Sequence, residues 1–268
     1  MTESTSSANG ADLQGESYTT LQKILAYGVH VYTATGVVWG MLAAISIFAG
    51  EFRQAFIWLL IAVIVDSSDG YFARKFQVKK IAPNINGAKL DDICDYLNYT
   101  FLPMLMIWKG NWLPDPAWLW CSVALFSSLF AFCNEGAKED ERGFFLGFPS
   151  YWNFVAFYII VCLAHYGPYW SLSAVLFLSV LSFVPLRFIY PSRTPYWQGF
   201  FVWGAIVWTV GFLYVLWEFE YYSTQSAWFA WFTFSYPALY FLLSFYFDFY
   251  DRRKQKEEAL QKAQEAGV

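Results

Sequence analysis

Long apolar runs are the feature that most limits how this chain can fold. Of its 268 residues 57% are hydrophobic and only 14% are charged, which is too apolar a balance for an ordinary soluble domain. A membrane-spanning helix needs roughly 20 apolar residues, and a helix satisfies its own backbone hydrogen bonds in lipid. Runs close to that length lie at 28–49, 54–73, 90–108, 117–134, 151–166, 169–190, 198–217 and 227–247. The sequence therefore predicts an all-α, polytopic transmembrane helical bundle with about eight spans.

The two ends of the chain differ in composition from the spans. Residues 1–17 are rich in Ser, Thr, Gly and Ala and lack an apolar core, so we expect a disordered tail and no cleavable signal peptide. Residues 18–27 are predicted to form a short amphipathic helix at the membrane surface. The membrane domain is expected to extend over 18–250, followed by a charged cytoplasmic tail at 251–268 that continues the last span as a helical extension.

The positions of Lys and Arg predict the orientation of the bundle. With eight spans and the N-terminus inside, fifteen of the seventeen Lys and Arg residues fall on the cytoplasmic side, and only Arg53 and Lys109 fall on the other. This asymmetry follows the positive-inside rule. Both termini are therefore predicted to be cytoplasmic.

Four aspartates lie on helical spacings within this apolar chain. Asp66 and Asp69 are three residues apart, and Asp91 and Asp95 are four apart, so each pair shares a helix face. Because an ionised Asp near the centre of a membrane helix costs roughly 2.5–3.5 kcal/mol, four of them need a compensating cation. Two such faces meeting would form an all-oxygen cage of the kind that Mg²⁺ or Mn²⁺ prefers. Asp92 points about 100° away from Asp91 and is not included.

This stretch resembles the signature of the CDP-alcohol phosphotransferase family of integral membrane enzymes, which reads D-x2-D-G-x2-A-R and then G-x3-D-x3-D. Every fixed position is present: Asp66, Asp69, Gly70, Ala73, Arg74, Gly87, Asp91 and Asp95. The spacer at 75–86 is longer than is usual in the family and is similar to that of the bacterial phosphatidylcholine synthases, which join choline to CDP-diacylglycerol. The stretch at 134–153 and, more loosely, 183–187 are similar to the same enzymes.

The resemblance implies an enzyme that transfers the phosphatidyl group of CDP-diacylglycerol to choline and releases CMP. Asp66, Asp69 and Asp91 would hold Mn²⁺ or Mg²⁺, and Asp95 would serve as the general base and as a ligand of a second ion. The nucleotide lipid would contact residues of the motif, namely Asp66, Gly70, Ala73, Arg74 and Gly87. Tight helix packing through small residues is the competing interpretation for the glycines.

The candidates for choline contact follow from the chemistry of its quaternary ammonium, which aromatic faces recognise. They are aromatic and acidic residues at the predicted cytoplasmic ends of the later spans: Glu135, Tyr151, Trp152 and Tyr190. Since membrane proteins also concentrate Trp and Tyr at interfaces, an interfacial anchor is the competing interpretation for each aromatic residue.

Two alternative functions stay open at this point. A sister enzyme that uses serine, inositol or glycerol 3-phosphate would share the motif, although a phosphorylated acceptor calls for several Arg or Lys in the cavity. A cation-coupled transporter also carries membrane carboxylates, but we find no internal repeat with broken helices.

The expected partners are CDP-diacylglycerol, choline and membrane lipid, with no nucleic acid. A homodimer is compatible with the small-residue helix faces. The expected location is the bacterial inner membrane, with the site facing the cytoplasm.

Overall fold

The computed structural model describes residues 18–134, 138–139, 144–189, 194 and 196–265, most of which are helical. The helices are α1 (Thr20–Ala49), α2 (Phe52–Lys75), α3 (Val78–Ile81), α4 (Gly87–Asp95), a π-helical segment (Tyr96–Phe101), α5 (Leu102–Lys109), α6 (Ala117–Cys133), α7 (Trp152–Val161), a 3-10 turn (Leu163–Tyr166), α8 (Pro168–Leu181), α9 (Gln198–Trp217), α10 (Phe219–Thr224) and α11 (Trp228–Glu265). Three short strands are β1 (Lys138–Glu139), β2 (Phe144–Leu146) and β3 (Arg187–Ile189). The predicted tail at 1–17 lies outside the described residues.

The first helix is longer than its predicted span. It begins after Thr19, whose backbone N–H donates to the Gln22 side chain at 2.8 Å while the Thr19 hydroxyl accepts from the Gln22 N–H. It ends at Gly50 in the left-handed conformation, with φ of 79°. The prediction of a separate amphipathic helix at 18–27 is wrong. Residues 20–27 form the first part of α1, because neither Pro nor a turn sequence separates them from the span. The 30 residues of α1 extend about 45 Å, beyond the roughly 30 Å of a bilayer's hydrocarbon core.

The described helices confirm the predicted all-α membrane bundle. Three of them, α1, α2 and α9, are long and apolar enough to cross a membrane, while α6, α7 and α8 are apolar but shorter. The count of eight spans stays a prediction. Helix α7 lies at the centre of the bundle, since eight of its ten residues are buried. A helix enclosed on all sides is apolar all round, which explains why its sequence shows no polar face.

The sixth span differs from the sequence prediction, and a small sheet is added to the bundle. The sixth span, predicted at 169–190, ends at Leu181, and the chain then enters β3. Pro185 explains this end, because proline cannot continue a helix and disfavours helical geometry in the residue before it. The three strands form a small antiparallel sheet in the order β1-β2-β3, which the all-α prediction did not contain. Helix α11 continues without a break past position 251, as expected for a helical extension of the last span.

Close packing joins α1 to the helical run formed by α4 and the π-helical segment. A Cβ added to Gly36 would lie 3.3 Å from Cys94 Cβ, and one added to Gly40 would lie 2.8 Å from Asn98 Oδ1. Asn98 Nδ2 donates to the carbonyls of Gly36 at 3.1 Å and of Cys94 at 3.0 Å. Small residues on α1 therefore bring its backbone within hydrogen-bonding reach of the neighbouring helix, as is common in membrane proteins.

This packing predicts different outcomes for two glycines of the same helix. Gly40→Ala should destabilise the protein by about 1–3 kcal/mol, because the new methyl group overlaps Asn98. Gly28→Ala is the matched control: a Cβ there meets nothing within 4 Å, and alanine's helix propensity should add up to about 1 kcal/mol. Thermal unfolding of the purified protein in detergent measures both changes, and equal melting temperatures would contradict the close packing.

Candidate active site

The four motif aspartates line one small cavity where α1, α2 and α4 meet. Asp66 and Asp69 project from the second half of α2, and Asp91 and Asp95 project from α4. The cavity measures about 10 Å³, close to the roughly 10–15 Å³ that one water molecule requires. It therefore has room for a single ion-sized group, and a larger substrate has to approach from its open side.

Three of these carboxylates form a tighter group. Asp66, Asp91 and Asp95, all half-buried, each place one oxygen within 4.8 Å of the others. Two unit charges at such a distance repel by about 3–4 kcal/mol at an effective dielectric constant of about 20. A cation or bound protons must offset this repulsion for the group to stay together. An oxygen-only donor set is the kind that binds Mg²⁺ or Mn²⁺, so the residues present fit a divalent metal ion.

Asp69 lies in the wall of the same cavity but has a different partner. Its side chain is buried, and its Oδ2 accepts a hydrogen bond from Thr33 Oγ1 at 2.7 Å. The thiol of Cys94 approaches the Thr33 carbonyl at 3.7 Å and so ties this part of α1 to α4. The sequence did not indicate Thr33, because a threonine within an apolar helix commonly bonds its own helix backbone.

A tyrosine that sequence reasoning missed also holds the carboxylate group. Tyr99, in the π-helical segment, donates its hydroxyl to Asp66 Oδ2 at 2.9 Å. It continues, by one more step of four, the stripe formed by Asp91 and Asp95. In an α-helix each step of four rotates the face by about 40°, and the wider π turn counteracts that drift. Extending the stripe by one step would have identified Tyr99 from the sequence.

Arg74 lies near the end of α2, four residues after Gly70. A Cβ on Gly70 would lie 3.4 Å from Arg74 Nη1, so the guanidinium folds back over Gly70. Arg74 remains exposed, as a group that meets an incoming phosphate has to be.

The other two small motif residues have packing roles. Gly87 begins α4, and a Cβ there would lie only 3.0 Å from His30 Cε1 on α1. Ala73 is half-buried and packs into a small apolar cluster between α1, α2 and α3. Close helix packing therefore has direct support at Gly87 and Ala73.

The predicted choline contacts lie in different surroundings. Two of them lie outside the described residues, namely Glu135 and Tyr190. Trp152 is fully buried, and its Nε1 donates to Ser128 Oγ at 2.6 Å, which makes it part of the core. Tyr151 is 38% exposed and directly precedes α7, which packs against the π-helical segment that carries Tyr99. Of the two described candidates, Tyr151 is the one that is not buried in the core.

Comparison with known proteins gives a consistent set of relatives. The family model described as CDP-alcohol phosphatidyltransferase matches residues 30–211. A protein of Pseudomonas aeruginosa named phosphatidylcholine synthase is 36% identical over 195 residues, which cover 72% of this chain and 81% of that protein. One of Legionella pneumophila with the same name is 33% identical over 254 residues, which cover 91% of this chain and 97% of that protein. A protein of Borreliella burgdorferi with the same name is 38% identical over 173 residues, which cover 64% of this chain and 72% of that protein.

The hydrogen bond from Tyr99 predicts an effect on metal affinity. Tyr99→Phe removes the donor that orients Asp66, and loss of such an outer partner typically lowers metal affinity about 10–100-fold. Tyr96→Phe is the matched control, since the Tyr96 hydroxyl donates to the Leu125 carbonyl at 3.1 Å, away from the cavity. Calorimetric titration of the purified proteins with Mn²⁺ measures the change. Equal dissociation constants for the two variants would mean that Tyr99 does not contribute to metal binding.

Proposed function

This chain belongs to the CDP-alcohol phosphatidyltransferase family, and we propose that it transfers the phosphatidyl group of CDP-diacylglycerol to choline and releases CMP. The observation that carries the reaction class is the meeting of four motif aspartates at one cavity. Choline as the acceptor is supported by the names of the relatives, one of which aligns with 91% of this chain.

We assign the metal site to Asp66, Asp91 and Asp95, with Asp69 beside them. When bound there, Mg²⁺ or Mn²⁺ would neutralise the diphosphate and make CMP a better leaving group. Thr33 and Tyr99 donate to Asp69 and Asp66, so two of the four carboxylates are oriented before the substrate arrives. Arg74 would meet the phosphates from the exposed end of α2 as a bidentate donor.

We assign Asp95 as the general base. Its carboxylate takes the proton of the choline hydroxyl as that oxygen attacks the phosphatidyl phosphorus, and the bond from phosphorus to the CMP oxygen breaks. Because an alcohol is a very weak acid, this proton transfer has to occur within the transition state. Asp95 is the last residue of α4, directly before the π-helical segment, a feature that frequently marks functional sites.

The alcohol pocket is assigned to the region around Tyr151. Its ring would contact the trimethylammonium group, an interaction of about 0.5–2 kcal/mol. Trp152 would support this position through the core, while Glu135 and Tyr190 stay predicted contacts. Serine, inositol and glycerol 3-phosphate remain the second candidates.

The proposed location is the bacterial cytoplasmic membrane, with both termini and the carboxylate site on the cytoplasmic side. The asymmetry of Lys and Arg along the sequence supports this orientation. A homodimer is part of the proposal and is tested by chemical crosslinking in native membranes.

The acceptor is tested with the purified protein, labelled CDP-diacylglycerol and one alcohol at a time. Choline should give labelled phosphatidylcholine and equimolar CMP, while ethanolamine, serine, inositol and glycerol 3-phosphate should react poorly. Chelation of divalent metal should stop the reaction, and Mg²⁺ or Mn²⁺ should restore it. If serine or inositol reacted faster than choline, the acceptor assignment would be wrong, although the family would stand.

The base assignment predicts unequal effects for two neighbouring aspartates. Asp95→Asn should lower the turnover number by at least about 10²-fold, because it removes the proton acceptor and keeps the size. Asp92→Asn, also on α4 but outside the group of three carboxylates, should stay near the wild-type rate. Near-normal turnover in Asp95→Asn would be incompatible with its role as base.

Orientation is tested by labelling single cysteines in sealed membrane vesicles. Three of the four native cysteines are buried, so Cys133→Ser removes the exposed one and provides the background. A cysteine at Lys79, in the spacer, should react with a membrane-impermeant reagent only from the cytoplasmic side, and one at Asn111 only from the opposite side. Both positions are exposed. The reverse pattern would place the carboxylates on the other face.

A further inference from the structure

A second cavity lies between α7, α8, α9 and α11, apart from the cavity that the aspartates line. Its volume is about 590 Å³, within the roughly 300–1,000 Å³ that is usual for small-molecule and cofactor sites.

The lining of this cavity is apolar, because the hydroxyls of three of its tyrosines form hydrogen bonds within the protein. The Tyr158 hydroxyl donates to Thr233 Oγ1 at 3.1 Å and accepts from Trp208 Nε1 at 2.8 Å. Tyr236 and Tyr240 donate to backbone carbonyls at 2.6 and 2.8 Å. The surface that remains consists of ring faces and aliphatic carbons. It suits a hydrocarbon chain, whereas a polar ligand would lose its hydrogen bonds there.

Tyr151 connects this cavity to the carboxylate site. It lines the cavity, and helix α7, which begins directly after it, packs against the π-helical segment that carries Tyr99. Tyr99 in turn donates to Asp66. A lipid whose phosphate lies at the aspartates can therefore reach this apolar space past Tyr151.

We propose that the cavity between α7, α8, α9 and α11 holds an acyl chain of the phosphatidyl donor while its diphosphate lies at the aspartates, an inference that rests on the proposed function in taking the donor to be a diacylglycerol nucleotide. The phosphorus that is attacked carries the diacylglycerol, so hydrocarbon has to leave the carboxylate site on the side away from CMP. Moving a chain from lipid into protein exchanges one apolar surface for another, so packing decides the outcome. The cavity should therefore select donors by chain length and bulk.

The first test fills the cavity from α9. Ala205 lines it, so Ala205→Trp should exclude an acyl chain. Val207→Trp adds the same side chain to the same helix on the outer face, where Val207 is 71% exposed. The kcat/KM is measured with dioleoyl- and dihexanoyl-CDP-diacylglycerol in detergent. In Ala205→Trp the ratio of long-chain to short-chain kcat/KM should fall by about tenfold or more, as expected for a pocket that discriminates by methylene groups. In Val207→Trp the ratio should stay near that of the wild type. An unchanged ratio in Ala205→Trp, or an equal loss with both donors, would overturn the proposal.

The second test locates the chain directly in the wild-type protein. CDP-diacylglycerol with a photoreactive group in one acyl chain is crosslinked without acceptor, and the labelled peptides are identified by mass spectrometry. Labels should fall on the lining segments of α9 and α11 and should be competed by dioleoyl-CDP-diacylglycerol but not by dioleoyl phosphatidylethanolamine. Equal competition by both lipids would mean that the cavity holds bulk lipid. Either that result or labels confined to other segments would refute the proposal.

The two proposals can fail separately. Crosslinking contains no acceptor alcohol, so its result does not depend on whether choline is used. If the acceptor assay selected serine while the label stayed in the cavity, only the acceptor assignment would be lost. If choline were used and the label fell elsewhere, only the acyl-chain site would be lost.

Discussion

Repulsion among carboxylates within an apolar bundle is the constraint on which the rest of this structure depends. Asp66, Asp91 and Asp95 bring oxygens within 4.8 Å of one another, and Asp69 lies in the same cavity wall. Such a group is stable only when a cation or bound protons offset the repulsion, and its oxygen donors suit a divalent cation. Two surrounding polar side chains orient this group, since Thr33 and Tyr99 each donate a hydrogen bond to one carboxylate.

The packing of α1 makes this arrangement possible. Gly36 and Gly40 allow the π-helical segment to approach closely enough for Asn98 to bond the α1 backbone. Packing of α1 against α2 places Thr33 beside Asp69. In lipid, where apolar burial gives little force between helices, close backbone approach and interhelical hydrogen bonds supply the attraction. Gly36 itself lines the carboxylate cavity, so the close packing of α1 shapes the site directly.

The two halves of the bundle carry different chemistry. The helices up to α4 and the π-helical segment supply the carboxylates and their donors, whereas α7, α8, α9 and α11 enclose an almost entirely apolar space. Tyr151 lies at the junction, partly exposed and directly before α7, which packs against the π-helical segment. A lipid substrate needs both environments at once, because its phosphate is charged and its chains are not.

The sequence by itself determined the elements whose pattern is local. Apolar runs predicted the helices, and spacings of three and four showed which aspartates share a face, because helical periodicity belongs to each segment alone. It also carried the motif on which the family assignment rests. Only the tertiary structure decided which side chains meet across helices: Thr33 with Asp69, Tyr99 with Asp66, and Trp152 with Ser128 inside the core. The strands after α8 and the apolar cavity were likewise absent from the pattern. These features depend on how separate helices pack. That packing involves residues far apart in the sequence, and the residue spacing within one apolar run carries no information about it.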